Sequence, residues 1–326
     1  MTSLLEFYQK HGISPVRQDI TNLSAHFQRR AHLYRSLGLP PSAITNKTVL
    51  EIGAGSGENA LYTASLKPFL YTALEPNPVG AAALRERFKR SELHVVEQSI
   101  GHGLGIFSVV LCEGLLGLSG SDPAALLEQV ADYVRPGGVL VITCIDPISD
   151  CAEVLRRAMA YPLIRSVHNL MDQVAVLRPV FAPHLATLKG MTRSVDDWLL
   201  DNLLNPASIG PTISVPDACA QLEGRFEVLG CSPRFLLDGR WYKDATPGNQ
   251  WAIDAYWTMA HNLYDYRTWS GPQSEASNRE LMAYCVRIRA EVAALERGEI
   301  PALSSKVLVD PGWFGRGQQY LSFVRV

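Results

Sequence analysis

Short apolar runs alternate with segments of helical composition in the first half of the chain. Five runs have the length of buried strands: Thr48–Ile52, Phe69–Leu74, His94–Val96, Phe107–Cys112 and Val139–Ile145. Helical segments are predicted between them, over residues 59–66, 78–90 and 123–134. We also expect Arg135-Pro-Gly-Gly138 to form a turn before the fifth strand. This alternation predicts a parallel, doubly wound α/β sheet.

The pattern differs at both ends of the chain. Phe27, Ala31 and Tyr34 follow helical spacing, so residues 1–45 are predicted to be a helical segment. Helical stretches broken by prolines follow Asp146, and two more helices are predicted over residues 249–267 and 275–297. The last two strands are predicted at 226–230 and 320–326. A strand at the extreme C-terminus implies that the helices before it are insertions into one sheet.

Composition narrows the class of protein. The 326 residues include 30 basic and 32 acidic side chains, a net charge of -2, which disfavours a dedicated nucleic-acid binder. The apolar runs are too short to span a bilayer, and the N-terminus has no basic region typical of a signal peptide. Six scattered cysteines without a CxxC pair indicate reduced thiols. We therefore expect a cytoplasmic protein.

The strongest chemical signal is the loop Gly53-Ala-Gly-Ser-Gly57, which directly follows a predicted strand and precedes a helix. Glycines at these positions let the backbone turn tightly and approach a ligand, which faces the free amides of the helix start. A dinucleotide-binding loop would have its third glycine at Glu58, where a carboxylate opposes a pyrophosphate. The loop therefore favours a nucleoside without phosphates over NAD.

An acidic residue follows the second predicted strand. Glu75 lies eighteen positions after Gly57, close to the spacing at which an acid meets ribose hydroxyls. An ionised carboxylate only accepts hydrogen bonds, so it can take both hydroxyl protons. The loop, its flanking elements and this acid together predict a ligand site.

These segments resemble the class I S-adenosylmethionine-dependent methyltransferases. The resemblance covers residues 45–146 and rests on Val49–Gly57, Leu74–Asn77, Val95–Ser99, Phe107–Glu113 and Val134–Ile142. It implies that S-adenosylmethionine is the cofactor. It places Glu51, Gly53, Gly55 and Gly57 around the methionine part, Glu75 at the ribose, Gln98 or Ser99 at the adenine, and Glu113 near the methionine end or the substrate. The acid usual at the third strand tip is absent from position 99.

The resemblance also organises the whole chain. It implies a mostly parallel seven-stranded sheet with helical cap insertions and an N-terminal helical segment. The expected parts are the N-terminal helical segment 1–45, the cofactor-binding half 46–146, a helical substrate cap 147–225, and the end of the sheet with a second insertion, 226–326. The aromatic residues of the second insertion, such as Trp241, Tyr256 and Trp269, form either a cap core or an aromatic wall for the acceptor or the sulfonium.

Catalytic residues are less well specified. An oxygen acceptor of high pKa needs a base, and histidine is the commonest one, so His261, His168 and His184 are candidates. Asp197 and Asp201 are spaced for one helix face, but no second acidic segment accompanies them, so no metal is expected.

The expected activity is O-methylation of a small molecule such as a sugar, a glycan or a secondary metabolite. An N-methyltransferase or an RNA-directed methyltransferase is the alternative, and a non-catalytic cofactor-binding protein is a third. The expected partner is a small-molecule acceptor, with no membrane and no nucleic acid, and a homo-oligomer is left open.

Overall fold

A seven-stranded sheet organises the chain. The computed structural model describes residues 4–89, 93–98, 100–101, 103–117, 122–188, 191–304 and 314–326. The strands are β1 Thr48–Ile52, β2 Leu70–Leu74, β3 Leu93–Val96, β4 Phe107–Cys112, β5 Val134–Cys144, β6 Phe226–Ser232 and β7 Gln319–Arg325. Their order is β3-β2-β1-β4-β5-β7-β6, and β7 is antiparallel to both of its neighbours. The doubly wound, mostly parallel sheet predicted from the sequence is confirmed.

Helices cover both faces of this sheet. They are α1 Leu4–His11, α2 Leu23–Ser36, α3 Glu58–Ser65, α4 Pro78–Arg87, α5 Pro123–Asp132, α6 Pro147–Ile164, α7 Leu170–Leu185, α8 Val195–Trp198, α9 Val215–Gln221, α10 Gln250–Met259 and α11 Glu275–Glu296. A short π-helix over Leu199–Leu204 continues α8. Within the described residues, no helix has the length and apolar character needed to cross a membrane.

One predicted turn is part of a strand. Residues 135–138 belong to β5, whose pairing with β4 already begins between Phe107 and Val134. The register then shifts before Val109, and Gly137 takes a positive φ of 68°. Glycine tolerates this conformation, so the strand passes through an irregularity where the sequence predicted a chain reversal.

The two faces of the sheet carry separate cores. Successive side chains of a strand point to opposite faces, so Val49 packs in one cluster and Leu50 in the other. The first core includes Tyr34 of α2 and Leu84 of α4. The second includes residues of α5, α6 and α9–α11, such as Tyr256. Both faces are covered, as a mostly parallel sheet requires.

The segment between β5 and β6 contains α6–α9 and adds a third cluster. Leu177 and Phe181 of α7 pack there with Trp198 of α8 and with Phe314, which lies just before β7. The segment between β6 and β7 contains α10 and α11. All helices after Asp146 therefore precede one of the last two strands of the same sheet.

Asn249 joins β6 to its surroundings through three buried hydrogen bonds. Its side chain accepts from Val228 N at 2.8 Å and donates to the carbonyls of Phe226 and Cys219 at 2.9 and 3.1 Å. The residue has no exposed surface. Its amide therefore satisfies backbone groups that water does not reach.

We expect Asn249→Ala to lower the free energy of unfolding by about 2–4 kcal/mol, because buried polar partners lose their hydrogen bonds. Urea unfolding followed by circular dichroism measures this loss. The neighbouring Gln250→Ala is the control, since among the described residues the Gln250 side chain donates only to Asp254, at the surface. Equal stability of the two variants would contradict this account of Asn249.

Candidate cofactor and acceptor site

The register of three strands brings the loops after β1, β2 and β4 to one edge. Ile52 at the end of β1 pairs with Leu74 of β2 on one side and with Cys112 of β4 on the other. Glu75 and Glu113 each follow one of these paired residues directly. Ligands of open α/β sheets bind outside the carboxyl ends of such strands, where the strand order reverses.

The glycine loop adopts the backbone that the sequence predicts. Gly53, Gly55 and Gly57 all have positive φ, at 75°, 57° and 84°. A Cβ at Gly53 would lie 2.8 Å from a methyl group of Leu115, and one at Gly57 would lie 2.4 Å from Leu84 Cδ1. Gly57 is the N-cap of α3. The loop therefore needs glycine for conformation and for space.

Glu75 is buried, and its carboxylate holds the glycine loop. Gly55 N donates to Oε2 at 2.6 Å, and Asn77 N donates to Oε1 at 2.8 Å. Burial raises the pKa of Glu75, and the two backbone donors oppose that rise. Each carboxylate oxygen keeps a further lone pair for a ribose hydroxyl. Gly80 of α4 allows the close approach, since a Cβ there would lie 3.1 Å from Glu75 Cγ.

Glu51 is a buried carboxyl group at the end of β1, and the Tyr71 hydroxyl donates a hydrogen bond to it. Burial, together with the nearby Glu113, raises the pKa of Glu51 to about 8, and Arg30 opposes that rise. An ammonium group close to this carboxyl would favour its ionised form. Glu51 thus fits the methionine part of the expected cofactor.

Glu113 forms a buried ion pair with Arg30 of α2. Arg30 donates through both terminal nitrogens, at 2.6 and 2.8 Å to the two carboxylate oxygens. Their side chains are 7% and 12% exposed. The forked geometry fixes the Glu113 carboxylate, and both of its oxygens accept hydrogen bonds.

A cavity of about 600 Å³ lies over this edge of the sheet. Its walls come from the glycine loop, the ends of β2 and β4, the start of β7, the segment after α7, and α1. The polar lining side chains are Tyr8, Ser14, Gln18, Glu51, Ser56, Glu58, Asn59, Glu75, Asn77, Gln98, Glu113, Asp122, Gln129, Arg193, Asp201, Gln318 and Tyr320. The cavity therefore unites Glu51, Glu75, Gln98 and Glu113 with Gly53 and Gly55, while Gly57 lies at the start of α3 behind the loop.

The adenine end of the expected site is only partly described. Gln98 follows β3, is exposed and lines the cavity together with Ile100. Ser99, the alternative adenine contact, lies outside the described residues. The adenine role of either residue stays a prediction.

The structure does not bring the three candidate histidines to this cavity. His184 stacks on Phe314 with ring centroids 4.1 Å apart, accepts from Arg156, and has a pKa lowered to about 4 by burial and by Arg156. His261 lies 2.9 Å from Ser270 Oγ, and His168 is exposed. None of the three is among the lining residues. Their role as the general base stays a prediction, and their positions away from the cavity do not favour it.

The aromatic residues of the second insertion also lie away from the cavity. Tyr256 is buried in the core, and its hydroxyl donates to Asp146 at 2.8 Å. Trp241 and Trp269 are about half exposed. None of these three residues lines the cavity. Tyr256 is therefore a core residue, and the three do not form an aromatic wall at the cavity.

Asp197 and Asp201 do not share a metal site. Asp201 accepts hydrogen bonds from Tyr8 and Arg193, and the Asp197 backbone amide is capped by Ser194. Among the described residues, no group of three or more His, Cys, Asp or Glu side chains is arranged to hold a metal ion. All six cysteines are buried and unpaired by disulfides.

Several lining residues had no sequence signal. Tyr8 and Arg193 stand in segments without a recognisable motif, and Tyr320 was predicted only as part of a strand. Asp201 was considered only as a metal ligand. These residues reach the cavity through helix packing and through the antiparallel direction of β7.

Comparison with known proteins decides the class. Residues 23–178 match the family model of a methyltransferase domain. The chain carries a class I S-adenosylmethionine-dependent methyltransferase domain. The matched range of this methyltransferase domain contains α2–α6 and most of α7, together with β1–β5, Glu51, Glu75 and Glu113.

Curated relatives are similar to part of the chain. The chain is 36% identical over 119 residues to the protein-L-isoaspartate O-methyltransferase of Shewanella loihica, which covers 35% of the chain and 51% of the relative. It is 24% identical over 201 residues to the tRNA U34 carboxymethyltransferase of Desulforapulum autotrophicum, covering 53% and 58%. The chain thus spans about half the length of these relatives.

The chain also matches the solved structure of the N-methyltransferase NodS from Bradyrhizobium japonicum in complex with S-adenosyl-L-homocysteine. The two chains are 20% identical, with a TM-score of 0.36, and the match covers 43% of this chain and 74% of NodS. The two curated relatives differ in what their names say they act on, so the methyltransferase domain alone does not define an acceptor.

The residues of the methyltransferase domain fit its cofactor, S-adenosylmethionine. Gly53 and Gly55 present their backbone to the cavity, and Glu75 retains acceptor capacity for ribose hydroxyls. The carboxyl group of Glu51 would meet an ammonium group of the methionine part. The Glu58 carboxylate lies at the start of α3, where a pyrophosphate would otherwise bind.

We expect Glu51→Gln to stabilise the protein relative to wild type increasingly as pH rises from 5 to 8.5. The carboxyl pKa is about 8 in the folded chain against 4.5 as a free group. Its stabilising contribution is therefore complete below pH 4.5 and is lost as pH rises toward 8. Gln keeps the acceptor for Tyr71 and does not titrate.

Urea unfolding of the cofactor-free protein at several pH values measures this difference, which should change by more than ~1.4 kcal/mol, one pKa unit. Glu86→Gln is the control, because the side chain of Glu86 is 67% exposed. A difference between wild type and Glu51→Gln that does not depend on pH would refute the raised pKa.

We expect Gly57→Ala to weaken S-adenosylmethionine binding at least ~10-fold, since loop and helix must separate to admit the methyl group. Gly105→Ala is the matched control: Gly105 has a similar φ of 81°, but a Cβ there has no atom within 4 Å. Calorimetric titration measures both variants. Equal affinities would show that the close contact with Leu84 does not matter for binding.

Proposed function

We propose that the protein is an S-adenosylmethionine-dependent methyltransferase that methylates an oxygen of a small molecule, such as a sugar or a secondary metabolite. The observation that carries this proposal is the cavity of about 600 Å³, which the glycine loop, Glu75 and Glu113 share with polar residues of later segments. Small-molecule sites commonly enclose ~300–1,000 Å³. A nucleoside cofactor would fill much of this volume and leave room for a small acceptor.

The residues of the cavity have distinct parts in this proposal. When bound, S-adenosylmethionine supplies a methyl group activated by its sulfonium charge. Glu75 accepts from the ribose hydroxyls, and Glu51 faces the ammonium group. Leu4, Leu5 and Tyr8 of α1 cover the cavity and limit access of water. Positioning of the acceptor then supplies much of the rate acceleration, because a direct displacement needs alignment above all.

Other acceptors are the main alternative. The net charge of -2 gives no general attraction for RNA, although a relative is named for tRNA. The residues expected to bind the cofactor suit an N-methyltransferase equally well. Only identification of the acceptor can decide between methylation of oxygen and methylation of nitrogen. A protein that binds the cofactor without turnover is a third candidate. The cytoplasmic location suggested by the scattered cysteines belongs to the same proposal.

We expect calorimetry to detect binding of S-adenosylmethionine and none of NAD, because Glu58 opposes a pyrophosphate at the start of α3. Absence of heat with S-adenosylmethionine would contradict the proposed function. Incubation with methyl-labelled cofactor and separate glycan, small-metabolite and RNA fractions then tests the acceptor. Label that enters RNA alone would refute the small-molecule acceptor, and cofactor binding without labelling of any fraction would favour the non-catalytic candidate.

A further inference from the structure

The wall of the cavity nearest β7 is rich in hydrogen-bond donors that are not fully used. Arg193, which lies between α7 and α8, lines this wall with its side chain 24% exposed. Its guanidinium donates to Asp201 and forms no other hydrogen bond with the residues that the structure describes. A guanidinium carries five N–H groups in a fixed fork, so several remain for a ligand.

Two further donors lie on the same wall. Tyr320 pairs with Thr143 at the start of β7, and its hydroxyl has no hydrogen-bond partner in the described parts of the chain. Burial, together with the nearby Glu113, raises the pKa of Tyr320 to about 12, so the phenol is neutral and able to donate. The Gln318 amide, two residues earlier, lines the same cavity and lies 3.9 Å from where a Cβ of Gly114 would be.

The acidic groups around this wall are already paired. Asp201 accepts from Arg193 and from the Tyr8 hydroxyl, and Glu113 accepts both terminal nitrogens of Arg30. Each carboxylate is thus balanced by a guanidinium at hydrogen-bond distance. The groups of this wall that can still form hydrogen bonds are therefore the N–H and O–H donors of Arg193, Tyr320 and Gln318.

We propose that Arg193, Tyr320 and Gln318 anchor the carboxylate of a small acidic acceptor. A carboxylate presents two oxygens that match the fork of a guanidinium. An amine would place its own N–H donors against the donors of this wall. A neutral hydroxyl would accept hydrogen bonds from only some of them. The inference rests on the proposed function, because it treats the wall near β7 as the acceptor side.

The position of this wall supports a division of the cavity into a cofactor side and an acceptor side. The glycine loop and Glu75 follow β1 and β2, whereas Tyr320 pairs with Thr143 of β5 and Gln318 lies near Gly114, which follows β4. A cofactor that spans β1 and β2 therefore leaves the β7 end free.

The test uses the full chain saturated with S-adenosylhomocysteine. Calorimetry compares benzoate and hexanoate with benzamide and hexanamide, which match them in size but carry no charge. We expect at least one acid to bind at least ~10-fold more tightly than its amide, because hydrogen bonds to charged groups are stronger. Methyl phosphate serves as a second anion, and tighter binding of it than of either acid would overturn the choice of a carboxylate.

Two variants locate the anchor. Arg193→Lys keeps the charge beside Asp201 but removes the fork, and Tyr320→Phe keeps the ring but removes the hydroxyl. We expect each to weaken binding of the acid, Arg193→Lys at least ~10-fold, without changing the affinity for S-adenosylhomocysteine. Arg178→Lys is the matched control, since Arg178 lies on α7 with its side chain 51% exposed and pairs with Asp196 away from the cavity.

The outcomes separate the two proposals. Failure of the wild-type chain to bind S-adenosylhomocysteine or S-adenosylmethionine refutes the proposed function. Normal cofactor binding with no acid tighter than its amide overturns the carboxylate anchor alone. Weaker cofactor binding in Arg193→Lys would assign Arg193 to the methionine carboxylate of the cofactor and also overturn it. If Arg193→Lys fails to fold by circular dichroism, Tyr320→Phe decides, and unchanged acid binding in that variant overturns the anchor.

Discussion

The parallel register of β1 with β2 and β4 is the constraint on which the site depends. It ends three strands at one edge, so the residues that follow them in sequence become neighbours in space. The buried carboxylate of Glu75 then fixes the glycine loop by accepting a hydrogen bond from Gly55 N. A shift of one residue in this register would turn each side chain to the other face and separate the acid from the loop.

Several carboxylates of the cavity form ion pairs with arginine side chains. Arg30 with Glu113 and Arg193 with Asp201 form two ion pairs on different walls, one attached to α2 and the other to the segment before α8. Such pairs are costly to bury unless their geometry is good, and both are completed by hydrogen bonds. Glu51 and Glu75 are buried without an ion-pair partner among the described residues; the Tyr71 hydroxyl donates to Glu51, and two backbone amides donate to Glu75. Burial raises the pKa of both carboxyl groups.

Most of the fold could be read from the sequence because its signals are local. The apolar runs, the helical spacing and the glycine loop depend on residues close together in the chain. The turn expected at residues 135–138 was wrong because strand pairing with β4 overrides the local preference for a reversal. The histidines were chosen by residue type alone, and residue type does not say whether a side chain faces the cavity. His184, for example, is held by Phe314 and Arg156 away from the cavity.

The sequence by itself determined the cofactor half of this protein. Residues 49–75 hold the loop, the strand before it, the helix after it and the acid that follows, and each is recognisable without knowledge of distant contacts. Only the tertiary structure decided which residues complete the rest of the cavity. Tyr8, Arg193 and Tyr320 come from segments up to about three hundred positions apart, and they meet because α1 packs over the cavity while β7 runs antiparallel into the sheet. Long-range packing of this kind leaves no periodic pattern in the chain, since it depends on which surfaces meet.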